Sequence, residues 1–251
     1  MSAIRVPRLK RTAALVLTAV LLAAVGFVGL SVGPNTSIAS AADAPMTLTM
    51  LGGPNVTNLV PVAGTVTGTV TIDWGDGTSS SITSATTFPH IYSTNGTYTV
   101  SITGSFSNYG DCNNTAGNEY ITAVLSWGSN DTTGFRCAFK DALNLTAVPN
   151  ALPSTTPITD MHQMFSNASV FNSTALTSWN TSSVTNMEQM FMNAETFNQD
   201  ISFWNTSNVT SMTNMFAYAY AFNQPIETWN TGNVTDMSGM FAQATSFNQN
   251  L

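Results

Sequence analysis

The sequence predicts a multi-domain chain in which a small all-β sandwich is followed by an α/β solenoid of stacked repeats. Two observations carry that reading. Between Val66 and Phe106, apolar residues alternate with Thr and Gly in short runs separated by turn dipeptides. From Phe139 onward a pattern of about 25 residues recurs, and recurrence at a fixed period marks stacked units rather than a catalytic site. A third observation, a basic and then apolar N-terminus, predicts export.

Four of the six basic residues, Arg5, Arg8, Lys10 and Arg11, stand in the first eleven positions. They lead into the apolar run from Thr12 to Leu30 and a stretch with small residues at Ala39-Ser40-Ala41. Residues 1-42 read as a signal peptide. An uncleaved anchor is the alternative, because the run is long enough to span a bilayer. The mature chain is expected to be secreted or at the cell surface of a bacterium.

All 13 acids lie beyond residue 42, where only Arg136 and Lys140 balance them, a formal net charge of −11. Such a region lacks the clustered cations that phosphate binding needs. It is also repelled by an anionic membrane surface. No nucleic-acid partner is expected, and membrane contact only through an uncleaved N-terminal segment. The two cysteines, Cys112 and Cys137, read as one disulfide in an exported protein, with two unpaired thiols as the alternative. Closing a loop of about 25 residues would contribute roughly 3 kcal/mol on the loop-entropy account.

Residues 43-106 form the predicted sandwich. Val66, Val70 and Ile72 alternate, as do Val100 and Ile102, and Asp76-Gly77 and Asn95-Gly96 mark tight turns. Asp73, Asp76 and His90 suggest an acid–base or metal site at first sight. Asp76 reads better as a turn residue bonded to its own backbone, and His90 as a packed or hydrogen-bonded side chain.

Residues 107-156 form a connecting segment with a degenerate first repeat, and residues 157-251 the repeat array. Phe165, Phe191, Phe216 and Phe241 follow one another at steps of 26, 25 and 25, with Phe139 one step earlier. In "VTNMEQMFMNA" the residues Val184, Met187, Met190, Phe191 and Ala194 fall on one face of a predicted helix of about three turns. Val209, Met212, Met215, Phe216 and Ala219 repeat that face. "FNQDISFW" predicts a brief strand ending in a turn. One unit cannot bury its own apolar face, but stacked units cover one another. Trp179, Trp204 and Trp229 are then core. Asn198, Asn223, Asn248, Asn205 and Asn230 are expected to bond backbone at the turns of successive coils.

Two stretches resemble known families. "WGDG", "HIY" and "GTYTVSITG", in that order between Trp74 and Gly104, resemble the PKD-type domain. That resemblance implies an immunoglobulin-like sandwich serving as a spacer or binding module. "WNTSNVTSMTNMFAYAYAFNQPI" resembles the BspA-like leucine-rich-repeat surface proteins, strongly over residues 157-251 and weakly over 125-156. It implies an exported, surface-displayed protein that binds partners or mediates adhesion.

No nucleophile–base arrangement, dinucleotide or phosphate loop, or metal-spaced Cys/His cluster stands in the sequence. His162 aligns with Glu188, Thr213 and Ser238, so it is expected on the solvent side of a helix. No catalytic residue, cofactor or metal is predicted, and the chain is not expected to be an enzyme. The expected function is binding or adhesion to a protein of a host or neighbouring cell, or to a cell-wall component. Contacts are expected from Gln199, Asp200, Ser202, Phe203, Gln224, Glu227 and Thr228, on the outward positions of the short strands. A second reading makes these modules the targeting portion of a larger secreted enzyme such as a hydrolase, since the sequence stops inside a unit at "FNQNL". A wall-polysaccharide binder would need exposed aromatics, which the in-register tryptophans do not supply.

Overall fold

The computed structural model describes residues 44–153 and 156–251. The predicted signal segment, 1-42, lies outside the described residues. Six strands form first: β1 (Met46–Gly52), β2 (Thr57–Asp73), β3 (Ser79–Ile82), β4 (Thr86–Ile91), β5 (Gly96–Tyr109) and β6 (Ile121–Ser126). They make one antiparallel sheet in the order β3-β2-β5-β1-β6, with β4 also paired to β2. The alternation seen in the sequence has its physical outcome here: Val70, Ile72, Val100 and Ile102 are all fully buried. β2 serves two sets of neighbours. It pairs with β4 from Thr57 to Val62, with β3 from Val70 to Asp73, and with β5 from Val62 to Asp73, and its register against β5 shifts between Ala63 and Val66 and again between Thr67 and Thr71. Such bulges bend a strand and strengthen its twist.

The predicted immunoglobulin-like, PKD-type sandwich does not form. The residues assigned to it make a single sheet, and no second sheet faces it among the described residues. The reason lies at the ends of β5 and β6. Asn108 pairs in parallel with Gly134, and Ala123 with Ala147, so the sheet passes its backbone ladder directly to the chain that follows. Its apolar side runs on into that chain as one continuous core, with the Tyr109 and Phe139 rings 5.8 Å apart.

The α/β leucine-rich-repeat-type solenoid is also corrected. Among the described residues there is no α-helix. The helical elements are two short 3-10 turns, Asn118–Tyr120 and Thr174–Ser178. "FNQDISFW" contains no strand. The helical face itself is real, since Val184, Met187, Met190, Phe191 and Ala194 are all 0% exposed. The backbone beneath it differs. Gln163, Gln189, Asn214 and Gly239 have positive φ, and so do Asn167, Asn193, Tyr218 and Gln243 one turn later. A right-handed helix cannot pass through left-handed residues. Instead, i→i−3 bonds such as Met190 N–H to Met187 C=O and Ala194 N–H to Phe191 C=O chain tight turns together. The intervening N–H groups of Gln189, Phe191 and Asn193 point along the stack to the carbonyls of Thr213, Met215 and Ala217, at 2.8–2.9 Å. Parallel bridges then link Gly134, Asp160, Asn186, Ser211 and Asp236 in succession.

Side chains explain the recurring words of the sequence. Phe165, Phe191, Phe216 and Phe241 stack with centroids 5.7 Å apart. Trp179, Trp204 and Trp229 stack 6.4 Å apart and within 2° of parallel. Each indole N–H of Trp204 and Trp229 donates to a carbonyl of the preceding coil, Leu176 or Ile201. In "FNQ", Asn198 Oδ1 accepts both the Asn223 backbone N–H and the Gln224 side-chain amide, each at 2.9 Å. Asn172 and Asn223 do the same for their neighbours. Each word recurs because each coil must offer the next the same ring and the same acceptor.

Candidate functional site

A cleft of about 600 Å³ opens where the sheet hands over to the coils. Its walls are Val62 to Gly64 of β2, Ala85 to Thr87 at β4, and the segment from Asn108 to Asn113, with Arg136 of the first coil. Gly110 allows this junction. Its φ is +126°, and a Cβ there would lie 2.3 Å from the Arg136 carbonyl oxygen, so no other residue lets the end of β5 press against the first coil. Arg136 N–H donates to Asn108 Oδ1 at 3.1 Å. Asp111 is fixed by Thr87, whose hydroxyl donates to Oδ2 at 3.0 Å, and by the Asn113 N–H on Oδ1 at 2.9 Å.

That junction brings Cys112 beside Cys137, and the two are joined in a disulfide across a separation of 25 residues. Cys112 lines the cleft; Cys137 is fully buried. In the next coil stands His162, 8% exposed. The expectation of a solvent-facing helix residue is therefore wrong for His162. The later residues in its column, Glu188, Thr213 and Ser238, are half-buried or exposed, whereas His162 has the Cys112–Cys137 sulfurs within 4.8 Å of a ring nitrogen. Glu188 Oε2 is 3.6 Å from His162 Nδ1, and Arg136 Nη1 is 3.6 Å from Asp160 Oδ2. Burial first, and then the charge of Arg136, lower the His162 pKa against the opposing pull of Glu188 and Asp160. Gln163 Oε1 approaches Cys137 Sγ at 3.4 Å. A disulfide sulfur has no proton to donate, so this is a contact rather than a hydrogen bond. The sulfurs of Cys112 and Cys137 and a ring nitrogen of His162 lie within 4.8 Å of one another.

The residues predicted to contact a partner are spread along the coil edge, away from this cleft. Gln199 and Gln224 spend their amides on Asn172 and Asn198 of the preceding coils. Asp200 is exposed and held below its ordinary pKa by the Ser202 hydroxyl and N–H. The Thr228 hydroxyl donates to the Ser202 carbonyl at 2.7 Å, which places these two on neighbouring coils. Glu227 is exposed. Phe203 is 81% exposed, between the buried Ile201 and Trp204. Sequence reasoning missed Arg136, Asp111, His162 and Glu188. The signal available was that Arg136 and Lys140, the two basic residues beyond residue 42, flank Cys137.

In the first module, Asp76, His90 and their neighbours pin a loop. His90 Nε2 is 2.9 Å from Asp76 Oδ2, and the imidazole stacks on Trp74 at 4.5 Å. Tyr92 donates its hydroxyl to the Trp74 carbonyl and stacks on Tyr98.

Residues 133–251 match the family model described as "Mycoplasma protein of unknown function, DUF285". No curated protein and no solved structure matches the chain. This match, with the nearly helix-free structure, overturns the expected assignment to a BspA-like leucine-rich-repeat protein carrying an N-terminal PKD-like domain.

Proposed function

We propose that the chain is an exported, non-catalytic binding protein that presents the outer edge of its coils to a protein partner. The observation that carries this reading is Phe203. Its neighbours Ile201 and Trp204 are locked in the core, which holds a bare phenyl ring in solvent at 81% exposure. Nothing in the packing requires an aromatic there, and aromatic side chains are the commonest anchors of protein interfaces. The coils below are cross-tied by side-chain and backbone bonds, so a partner would meet a surface already ordered, at small entropic cost. The basic and then apolar start of the chain supports export.

The test uses the purified chain, fluorescently labelled, on two probes: cultured host-cell monolayers and isolated bacterial wall sacculi. The reading expects saturable binding to cells that Phe203→Ser weakens at least about tenfold, with unchanged thermal unfolding. Binding to sacculi alone would replace the protein partner with a wall component. Equal binding by Phe203→Ser, or by neither probe, would overturn the proposed contact. Protease shaving of intact producing cells checks export, since an exported chain is cleaved from outside.

A further inference from the structure

We infer that the Cys112–Cys137 pair, once reduced, forms with His162 a three-residue site for a soft divalent cation such as Zn2+. Three features of the first two coils meet here. A ring nitrogen of His162 stands within 4.8 Å of both sulfurs, which are bonded to each other in the oxidised chain; reduction frees them to separate to the spacing of ligands around a tetrahedral ion with metal–sulfur bonds of about 2.3 Å. Among the described residues neither ring nitrogen of His162 has a hydrogen-bond partner, and Nδ1 is buried without one, in a residue only 8% exposed. An unpartnered buried nitrogen costs free energy unless something binds it. In the proposed site Nε2 takes the cation, and the orphaned Nδ1 is left for a carboxylate to close on. Glu188 Oε2 stands 3.6 Å from Nδ1, placed to act as the outer carboxylate that orients a ligating histidine.

The scaffold does not depend on the sulfur–sulfur bond to hold these groups together. Cys137 N–H donates to the His162 carbonyl at 2.8 Å, which ties the two ligands across adjacent coils. Gly110 N–H donates to the Pro61 carbonyl at 3.0 Å, and Arg136 N–H to Asn108, so the segment carrying Cys112 stays against the first coil. Cys112 lines the cleft, which gives a reductant and a cation a path in. Arg136 and Lys140, the two cations of a region with net charge −11, both act on His162, and their charge favours thiolate over thiol.

The chemistry closes. A dithiol reductant transfers two electrons and two protons to the disulfide and leaves as its own cyclic disulfide, giving two thiols. The cation then displaces both thiol protons, forming two metal–thiolate bonds and one bond to neutral imidazole. That leaves a fourth position for water or a small ligand. The site therefore exists in one redox state only, and binding couples cation uptake to reduction.

The full chain, reduced under nitrogen and freed of reductant, should take up one Zn2+ per molecule by equilibrium dialysis, and the oxidised chain none. With Co2+ as probe, the reduced chain should show thiolate-to-cobalt charge-transfer absorption. His162→Ala should weaken uptake at least about tenfold. Because Cys112→Ser can fail to fold, the wild-type chain supplies a second readout: Zn2+ should slow alkylation of the reduced thiols by N-ethylmaleimide at least tenfold, on the order expected for ligated thiolate. Absence of stoichiometric uptake, equal uptake by the oxidised chain, undiminished uptake by His162→Ala, or unprotected thiols would each overturn the inference.

Discussion

The sheet and the coil stack hold themselves together in opposite ways. In the sheet, β1 and β5 pair along the whole of β1, from Met46↔Ile102 to Gly52↔Gly96, so the backbone carries the register and most side chains only decide which face is apolar. In the stack, neighbouring coils share a single bridge, such as Asn186↔Ser211, and a few alternate N–H bonds. Register there rests on side chains: columns of Phe and Trp, and Asn acceptors that reach from one coil to the next. The difference teaches where substitutions should hurt. A sheet residue facing solvent is replaceable. A coil residue facing its neighbour is not, even when half-exposed.

The largest effect should come from a stacked ring. Phe216 is fully buried and contacts Phe191, Phe222 and Phe241, with centroids 5.7, 3.9 and 5.7 Å away. Phe216→Ala should destabilise the chain by about 3–5 kcal/mol in urea unfolding. A loss below about 1 kcal/mol would mean that the coils do not rely on their ring columns.

The next effect sharpens the comparison, because the residue changed is polar and only half-buried. Asn198→Ala removes the oxygen that accepts from both Asn223 N–H and Gln224. It should cost about 1–2 kcal/mol. Thr99→Ala, an exposed substitution near the start of β5, should cost less than about 1 kcal/mol. If urea unfolding ranks the two the other way, side chains do not set the register of the stack.

The same contrast explains how much could be read from the sequence. The strands were legible because alternation around Val70, Ile72, Val100 and Ile102 has one structural meaning. The core of the repeats was legible too, down to Val184 and Ala194. The backbone of the repeats was not, because a chain of tight turns buries residues at nearly the spacing of a helix. The clue lay in the columns rather than along the chain. Cys137, Gln163, Gln189, Asn214 and Gly239 share one column, and Asp141, Asn167 and Asn193 head the other. Gly and Asn are the residues that tolerate left-handed backbone, but the glutamines masked the pattern. The cleft was invisible for a different reason. Its walls come from residues near 62, 86, 110 and 136, which no local motif links. His162 was misplaced because Cys112, whose sulfur stands within 4.8 Å of its ring, is distant in sequence.

A smaller effect separates the two regions by pH. In the sheet, the Thr78 hydroxyl, ahead of the effects of His90, holds Asp76 at about 2. What that depressed value adds to stability is present above the ordinary carboxylate value and fades only as pH falls toward about 2. In the stack, His162 is depressed from 6.5, chiefly by burial and then by Arg136, with Lys140 assisting and Glu188 and Asp160 opposing. The unfolded chain takes up that proton more readily, so stability is full above 6.5 and declines as pH falls through the folded value. Urea midpoints should therefore drop between about pH 7 and about pH 5 while Asp76 stays ionised. His162→Gln should flatten that drop. An unchanged slope in the variant would place the pH sensitivity elsewhere.

The smallest effect is the one that marks the limit of side-chain dependence in the stack. Phe203 belongs to a coil, yet it points away from both neighbours and is 81% exposed. If stability in the coils depends on what faces the next coil rather than on being in a coil, Phe203→Ala should shift unfolding by less than about 0.5 kcal/mol. The neighbouring Trp204, buried and hydrogen-bonded to Leu176, supplies the contrast one residue away. A loss above about 1 kcal/mol at Phe203 would show that its ring packs against the stack, and would remove the reason to look for a partner there.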